Sequence, residues 1–101
     1  MIGLKVEHPG IILREEYLEP LGITQTQLAR ETGISYLRVN ELVNGKRGIT
    51  PDTAMRLAKY LGTSAEYWMN WQSAFDLQKA ETEHHKEYER IPAFTPQLIT
   101  R

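Results

Sequence analysis

The sequence predicts an all-α fold of five helices, with a long fifth helix followed by an extended tail. Glycine, which commonly ends helices, is closely followed four times by Ser or Thr, which commonly begin them. These pairs are Gly22 and Thr24, Gly33 and Ser35, Gly45 and Thr50, and Gly62 and Ser64. No segment alternates strictly between apolar and polar residues, so we predict no sheet. The 101 residues, 41% hydrophobic, suit one small globular domain.

The first helix is predicted from about Pro9 to Leu18. Proline suits the first turn of a helix because its missing N–H has no partner there. Pro20 is expected to prevent the helix from continuing. The predicted buried face consists of Ile12, Leu13 and Tyr17.

The second helix is predicted over residues 25–31, after the N-cap Thr24. Gln27 stands three residues after this cap, the spacing of a capping box in which both residues satisfy backbone groups. The third helix is predicted over residues 36–43. The inward positions of these two helices are Leu28, Ala29, Val39, Leu42 and Val43.

The fourth helix is predicted to start at Thr50-Pro51, where Asp52 complements the positive end of the helix dipole. Its apolar residues follow helical spacing and are Ala54, Leu57, Ala58 and Leu61. The fifth helix is predicted from Ser64 to about Glu89, because this stretch contains no Gly or Pro. Residues 91–101 contain two prolines and are predicted to form an extended or disordered tail. We therefore divide the chain into a domain over residues 1–80 and a polar extension over residues 81–101.

Composition excludes several classes of protein. The absence of cysteine removes disulfides, thiol catalysis and cysteine-type zinc sites. No run is long and apolar enough to span a membrane and no secretory signal is visible, so we expect a cytoplasmic protein. Adjacent His84 and His85 would point about 100° apart on a helix, a poor geometry for chelating one ion. We expect no metal, no cofactor and no enzymatic activity, since no catalytic motif is present.

The net charge of −1 hides a segregation along the chain. Residues 24–50 carry four Lys or Arg and two Glu, whereas residues 64–90 carry three Lys or Arg and six Asp or Glu. A basic middle and an acidic C-terminal third favour two surfaces with different roles.

The most informative segment is TQTQLARETGISYLRVNELVNG, residues 24–45. Two short predicted helices flank a turn at Gly33, and Ala29 is small where the next helix would cross close above it. This layout is typical of a helix-turn-helix, whose second helix enters the DNA major groove.

The segment resembles the lambda-repressor-like, XRE-type DNA-binding domains. Over about residues 8–80 the chain is similar, more narrowly, to the HigA antitoxin family, also labelled VapI-like. The stretches that carry this resemblance are HPGIILREEYL (8–18), VNELVNGKRGIT (39–50) and GTSAEYWMNWQ (62–72).

The resemblance implies which residues meet DNA. Side chains early in the recognition helix would reach base edges, and these are Tyr36, Leu37, Arg38, Asn40 and Glu41. Arg38 could bind guanine through two hydrogen bonds, and Glu41 could accept from cytosine or orient Arg38. The flanking residues expected to contact phosphates are Gln25, Ser35, Asn44, Lys46 and Arg47. The competing interpretation is that Arg38 and Glu41 pair in solvent, that Ser35 only caps, and that Asn44-Gly45 only turns the chain.

Aromatic residues on the fifth helix predict a second interface. Trp68, Trp71 and Phe75 share one face, and Tyr67 with Ala74 forms another. One face could be buried in the core alone, but two apolar faces favour burial of one of them against a second subunit. We therefore predict a homodimer interface that includes Tyr67, Trp68, Trp71 and Phe75.

The resemblance implies a dimeric repressor that binds a palindrome in its own promoter and neutralises a small mRNA-endonuclease toxin, as in HigB–HigA modules. Two alternatives remain. One is a stand-alone XRE-type regulator without a toxin partner, and the other is an interaction domain that no longer binds DNA. The positive charge of residues 24–50 argues against the second alternative.

Overall fold

The computed structural model describes residues 5–96, and residues 1–4 and 97–101 lie outside this range. The end of the predicted tail is therefore not described. The elements are α1 (Pro9–Ile12), a π-helical stretch (Leu13–Leu18), α2 (Glu19–Leu21), α3 (Gln25–Thr32), α4 (Tyr36–Val43), α5 (Pro51–Leu61) and α6 (Ala65–Glu89). No strand occurs over residues 5–96, so the all-α prediction is confirmed.

The first helical segment is longer than predicted, because α1, the π-helical stretch and α2 follow one another without a break. The segment passes Pro20 and ends at Gly22, whose φ of 68° is left-handed. In the π-helical stretch the Glu19 N–H donates to the Arg14 carbonyl, five residues back. Pro20 lies directly after this widened turn, and the helical segment continues past it to Leu21. The prediction that Pro20 stops the helix was therefore wrong.

The helix starts are placed by side-chain caps, as predicted. Each cap oxygen accepts from the backbone N–H three residues later, and the caps are Thr24, Ser35, Thr50 and Ser64. The capping box at Thr24 is only half formed. The Gln27 side chain does not return to the cap but donates to the Tyr60 hydroxyl on α5, at 3.0 Å. A tertiary contact has taken the place of the local one.

The core lies where α3, α4 and α5 pack over the first helical segment and the start of α6. Its buried members are Leu13, Leu18, Leu28, Ile34, Val39, Leu42, Val43, Ile49, Ala54, Leu57 and Trp68. Ile12, Tyr17, Ala29 and Leu61 are partly buried against this cluster. The helix-turn-helix is thus packed against the remaining helices through this core.

The second half of α6 extends away from this body. Every residue from 81 to 90 is exposed. The backbone is non-helical at His84, where φ is −125° and ψ is 19°. The radius of gyration is 18.3 Å, against roughly 13 Å for a compact domain of about 100 residues. Within the described range, no helix is both long and apolar enough to cross a bilayer.

Candidate nucleic-acid interface

The two helices of the predicted helix-turn-helix are α3 and α4, joined by the turn Gly33–Ser35. Gly33 has a φ of 77°, a conformation that glycine adopts without strain. Arg56 on α5 donates from Nη1 to the Thr32 carbonyl at 2.9 Å, at the carboxyl end of α3. The guanidinium also lies so close that a Cβ at Gly33 would stand 2.9 Å from it. The turn is therefore fixed by its own backbone and by α5.

The outer face of α4 presents unusually apolar side chains to solvent. Tyr36 is 53% exposed and Leu37 is 63% exposed, both in the first turn of the helix. The opposite face is buried in the core through Val39, Leu42 and Val43. Arg38 is half-buried beside them and forms no ion pair with any residue from 5 to 96. Its guanidinium is thus available for an external partner, and the pairing with Glu41 that the competing interpretation assumed does not occur.

Asn40 and Gln25 are brought together across the two helices. The Asn40 amide donates from Nδ2 to Gln25 Oε1 at 3.0 Å. Gln25 occupies the first turn of α3, where backbone N–H groups lack intrahelical partners. A predicted base-contacting residue and a predicted phosphate-contacting residue therefore share one hydrogen bond.

Glu41 pairs with a residue of the following loop rather than with Arg38. Its carboxylate pairs with Arg47 in the following loop, with both Nε and Nη2 of Arg47 at 2.8 Å from Oε1. The expectation that Glu41 orients Arg38 was wrong, because the chain turns back after α4 and carries Arg47 onto the same side. The pair holds the Arg47 guanidinium against the exposed end of α4.

The loop over residues 44–48 continues this surface. Asn44 caps the carboxyl end of α4 and its Nδ2 donates to the Asn40 carbonyl at 2.8 Å. Gly45 has a φ of 72°. Lys46 is exposed and, among the residues described, has no ion-pair partner. Ser35, at the other end of α4, accepts from the Arg38 N–H at 3.2 Å, so its hydroxyl hydrogen remains available to donate.

The aromatic residues of α6 divide differently from the prediction. Trp68 is completely buried inside the monomer, and its indole N–H donates to Thr63 Oγ1 at 2.7 Å. It therefore cannot offer surface to a partner, and its inclusion in the dimer interface was wrong. Phe75, which was also predicted in the interface, is partly buried, and its ring lies against the His8 ring with centroids 5.0 Å apart.

Trp71 instead shares the outer face of α6 with Tyr67. Together with Asn70 and Ala74 they line a shallow groove of about 240 Å³. Tyr67 also hydrogen-bonds Tyr17, and this bond, together with burial, raises the pKa of Tyr17 to about 12. The apolar groove is thus anchored to the first helical segment.

Three residues that support the interface were not predicted as functional. Arg14 donates from Nη1 to the Val43 carbonyl at 3.1 Å, at the carboxyl end of α4. Arg56 fixes the turn, as described above, and His8 is buried beside the loop 44–48. The available signal was the stretch His8-Pro9-Gly10, since a glycine in a first helical turn indicates close approach of another backbone. A Cβ at Gly10 would lie 1.6 Å from the Leu42 carbonyl oxygen.

The sequence is similar to a known family of helix-turn-helix proteins. The helix-turn-helix family HTH_3 matches residues 15–68. Virulence-associated protein I of Dichelobacter nodosus is 48% identical over 88 residues, covering 87% of this chain and 82% of the relative. Antitoxin HigA-1 of Vibrio cholerae is 38% identical over 78 residues, covering 77% of this chain and 73% of the relative.

A solved structure shows the same fold. The Pseudomonas aeruginosa antitoxin HigA, determined with the higBA promoter, superimposes with a TM-score of 0.86 at 39% identity. The match covers 90% of this chain and all of the other.

Proposed function

The chain belongs to the HigA-type helix-turn-helix family, and from this premise we propose that it is a DNA-binding repressor acting as the antitoxin of a HigB–HigA type module. It binds a palindromic operator in its own promoter as a homodimer and neutralises an mRNA-endonuclease toxin. The observation that carries the DNA-binding half is the outer face of α4. Tyr36 and Leu37 stand in solvent beside an Arg38 without an ion-pair partner among residues 5–96.

The base contacts come from this face. Arg38 binds guanine O6 and N7, the commonest specific contact in the major groove. Leu37 packs against a thymine methyl, and Asn40 reads adenine with its free oxygen and remaining N–H. Tyr36 bonds to a base or stacks on the backbone. Glu41 contributes through Arg47, which it already pairs.

The phosphate contacts flank α4 on both sides. Gln25 and Ser35 lie at helix starts, where free backbone N–H groups attract anions. On the other side the loop supplies an amide and two cations, from Asn44, Lys46 and Arg47. These contacts fix the register of the protein on the duplex without reading sequence.

The dimer forms through the outer face of α6. Tyr67 and Trp71 are the anchors, and Asn70 and Ala74 line the rest of the groove. A twofold dimer presents two copies of α4 to half-sites whose centres are about 34 Å apart, one turn of B-DNA.

The antitoxin half is supported by the relatives. HigA-1 of Vibrio cholerae is named an antitoxin, and the Pseudomonas aeruginosa HigA structure contains the higBA promoter. The alternative, a stand-alone regulator, has no observation that favours it over this proposal. No catalytic role is proposed for any side chain.

Two measurements test the two halves. Binding to a duplex selected from a randomised library should weaken steeply with salt, with a log–log slope of about −5 to −9 if 6–10 phosphates are contacted. A flat salt response, or failure to select any duplex, would contradict the DNA contacts.

Co-expression with the small reading frame adjoining the gene tests the proposed antitoxin activity. Rescue of growth with co-elution supports it, and poisoning that this protein does not relieve leaves a stand-alone regulator.

A further inference from the structure

His8 is a buried ionisable residue to which DNA binding alone assigns no role. It precedes α1, and its Nδ1 accepts from the Gly10 N–H at 2.9 Å as the N-cap of that helix. The ring also faces the Arg47 backbone, whose acceptor favours an N–H on the ring and so acts to raise the pKa of His8. Because Nδ1 is the acceptor, the donor is Nε2, and the bonded ring is the neutral tautomer with its proton there.

The ring lies where the N-terminal segment meets the end of the recognition helix. A Cβ at Gly45 would stand 3.8 Å from His8 Cγ, so the loop 44–48 packs over the ring. Phe75 of α6 supports it from another side, with ring centroids 5.0 Å apart. The far end of the loop is held separately, since the Ile49 N–H donates to the buried Gln72 side chain at 2.6 Å.

We infer that His8 is a positioning residue for operator binding. Its neutral ring bridges the first turn of α1 and the Arg47 backbone, and so fixes the loop from which Lys46 and Arg47 reach phosphates. The inference rests on the proposed function, because it assumes that this loop contacts DNA.

Protonation of the ring breaks one side of the bridge. A charged imidazole donates from both nitrogens, so Nδ1 can no longer accept from Gly10. The charged groups that face the ring are Asp76 on α6 and Glu7 beside it, and both favour protonation. Burial opposes them and is the larger effect, so the pKa of His8 lies below its usual 6.5. The bridge is therefore intact at neutral pH.

Two substitutions separate the cap from the bridge. In His8→Asn the side-chain oxygen replaces Nδ1, so the cap remains and the reach to Arg47 is lost. In His8→Gln the longer amide nitrogen replaces Nε2, so the bridge remains and the cap is lost. Ser64→Ala, which removes the N-cap of α6 and touches neither the His8 cap nor the loop 44–48, is the control for a loss of stability.

The readouts are operator affinity as a function of salt and pH, and Tm for each variant. We expect His8→Asn to keep most of its Tm, to bind about three- to tenfold more weakly, and to flatten the salt slope by about 1. We expect His8→Gln to lose Tm and to keep its affinity while folded. Wild-type affinity should fall as the pH is lowered from 6.5 through the lower pKa of the folded His8 ring. This trend is opposite to the gain that added positive charge gives a DNA binder, and His8→Asn should lack it.

The outcomes distinguish the two proposals. If wild-type protein shows no salt-dependent binding to the selected duplex, the proposed function fails. If wild-type protein binds but His8→Asn binds equally well, or if affinity follows Tm alone as in Ser64→Ala, the positioning role is overturned.

Discussion

Arg38 is the residue whose side chain is most clearly available for reading a base, since it stands on α4 with no ion pair to any described residue. We expect Arg38→Ala to cost about 1–3 kcal/mol of discrimination at one guanine, or about fivefold to 150-fold in operator affinity. Fluorescence anisotropy with the selected duplex and single-base variants measures this.

Arg30→Ala provides the matched control for loss of one positive charge. Arg30 lies on α3 and is exposed and paired with Glu31. Its substitution should change affinity little and should leave the base preference unchanged. Equal losses for the two variants would show that Arg38 acts through charge rather than through a specific base.

His8 makes a prediction about stability and pH. The pKa of His8 is lowered by burial, so the folded state favours the neutral ring. The contribution of the neutral ring to the free energy of unfolding is fully present above pH 6.5. It is lost as the pH falls through 6.5 toward the lower pKa of the ring in the folded state. The pKa of His85 is raised by its bond to Glu81, which gives the opposite trend. In a His85→Gln background, Tm should therefore fall from pH 7 to pH 5, and adding His8→Asn should reduce this fall.

At the scale of the elements, the contact between α1 and α4 is the tightest junction. Gly10 permits the two backbones to touch, because a Cβ there would lie 1.6 Å from the Leu42 oxygen. Gly10→Ala must push α1 away from α4, and we expect a loss of about 1–3 kcal/mol or more, as for overpacking in a core. Each kcal/mol lost should lower Tm by about 4–8 °C. Thermal unfolding followed by circular dichroism measures this fall.

Gly22→Ala is the comparison for this substitution. Gly22 has a left-handed φ of 68° but open space around it, so alanine there suffers conformational strain alone. The loss at Gly10 should exceed the loss at Gly22 and should be accompanied by weaker DNA binding. A Gly10→Ala variant with unchanged Tm would contradict the close approach of the two helices.

The element boundaries were largely predictable because they depend on neighbouring residues. The caps Thr24, Ser35, Thr50 and Ser64 form within one turn, so their sequence signals translate directly into structure. The end of the first helical segment was not predictable in the same way. The π-helical turn before Pro20 has no distinctive residue pattern, and it moves proline to a position that tolerates it.

The candidate site was predicted as a set of residues but not as a set of contacts. The pairing of Glu41 with Arg47 depends on how the loop turns back, and the bond between Gln27 and Tyr60 depends on the placement of α5. The burial of Trp68 was equally hidden, since a helix with two apolar faces does not show which face the monomer covers. Sequence identified the helices, whereas packing selected the partners.

At the scale of the whole molecule, the proposed dimer interface on the outer face of α6 can be tested by substitution. We expect Trp71→Ala to weaken the dimer, because it removes an aromatic anchor from the groove shared with Tyr67. Operator affinity should fall with it, since a monomer reads one half-site only. Sedimentation equilibrium measures the first effect and a DNA titration the second.

Leu77→Ala is the control for this prediction. Leu77 is also an exposed apolar residue of α6, but it does not line the groove. Its substitution should leave the dimer intact. Equal weakening by both variants would place the interface elsewhere on α6.

The projecting half of α6 changes how the molecule moves through water. The extents of the chain are 64 × 25 × 21 Å, so it diffuses as a short rod rather than as a sphere. A rod has more friction than a sphere of equal mass, and a size-exclusion column calibrated with globular standards will overstate its mass of 11.7 kDa. Even a monomer will elute early, so light scattering, which reports mass without regard to shape, is the appropriate means of counting subunits.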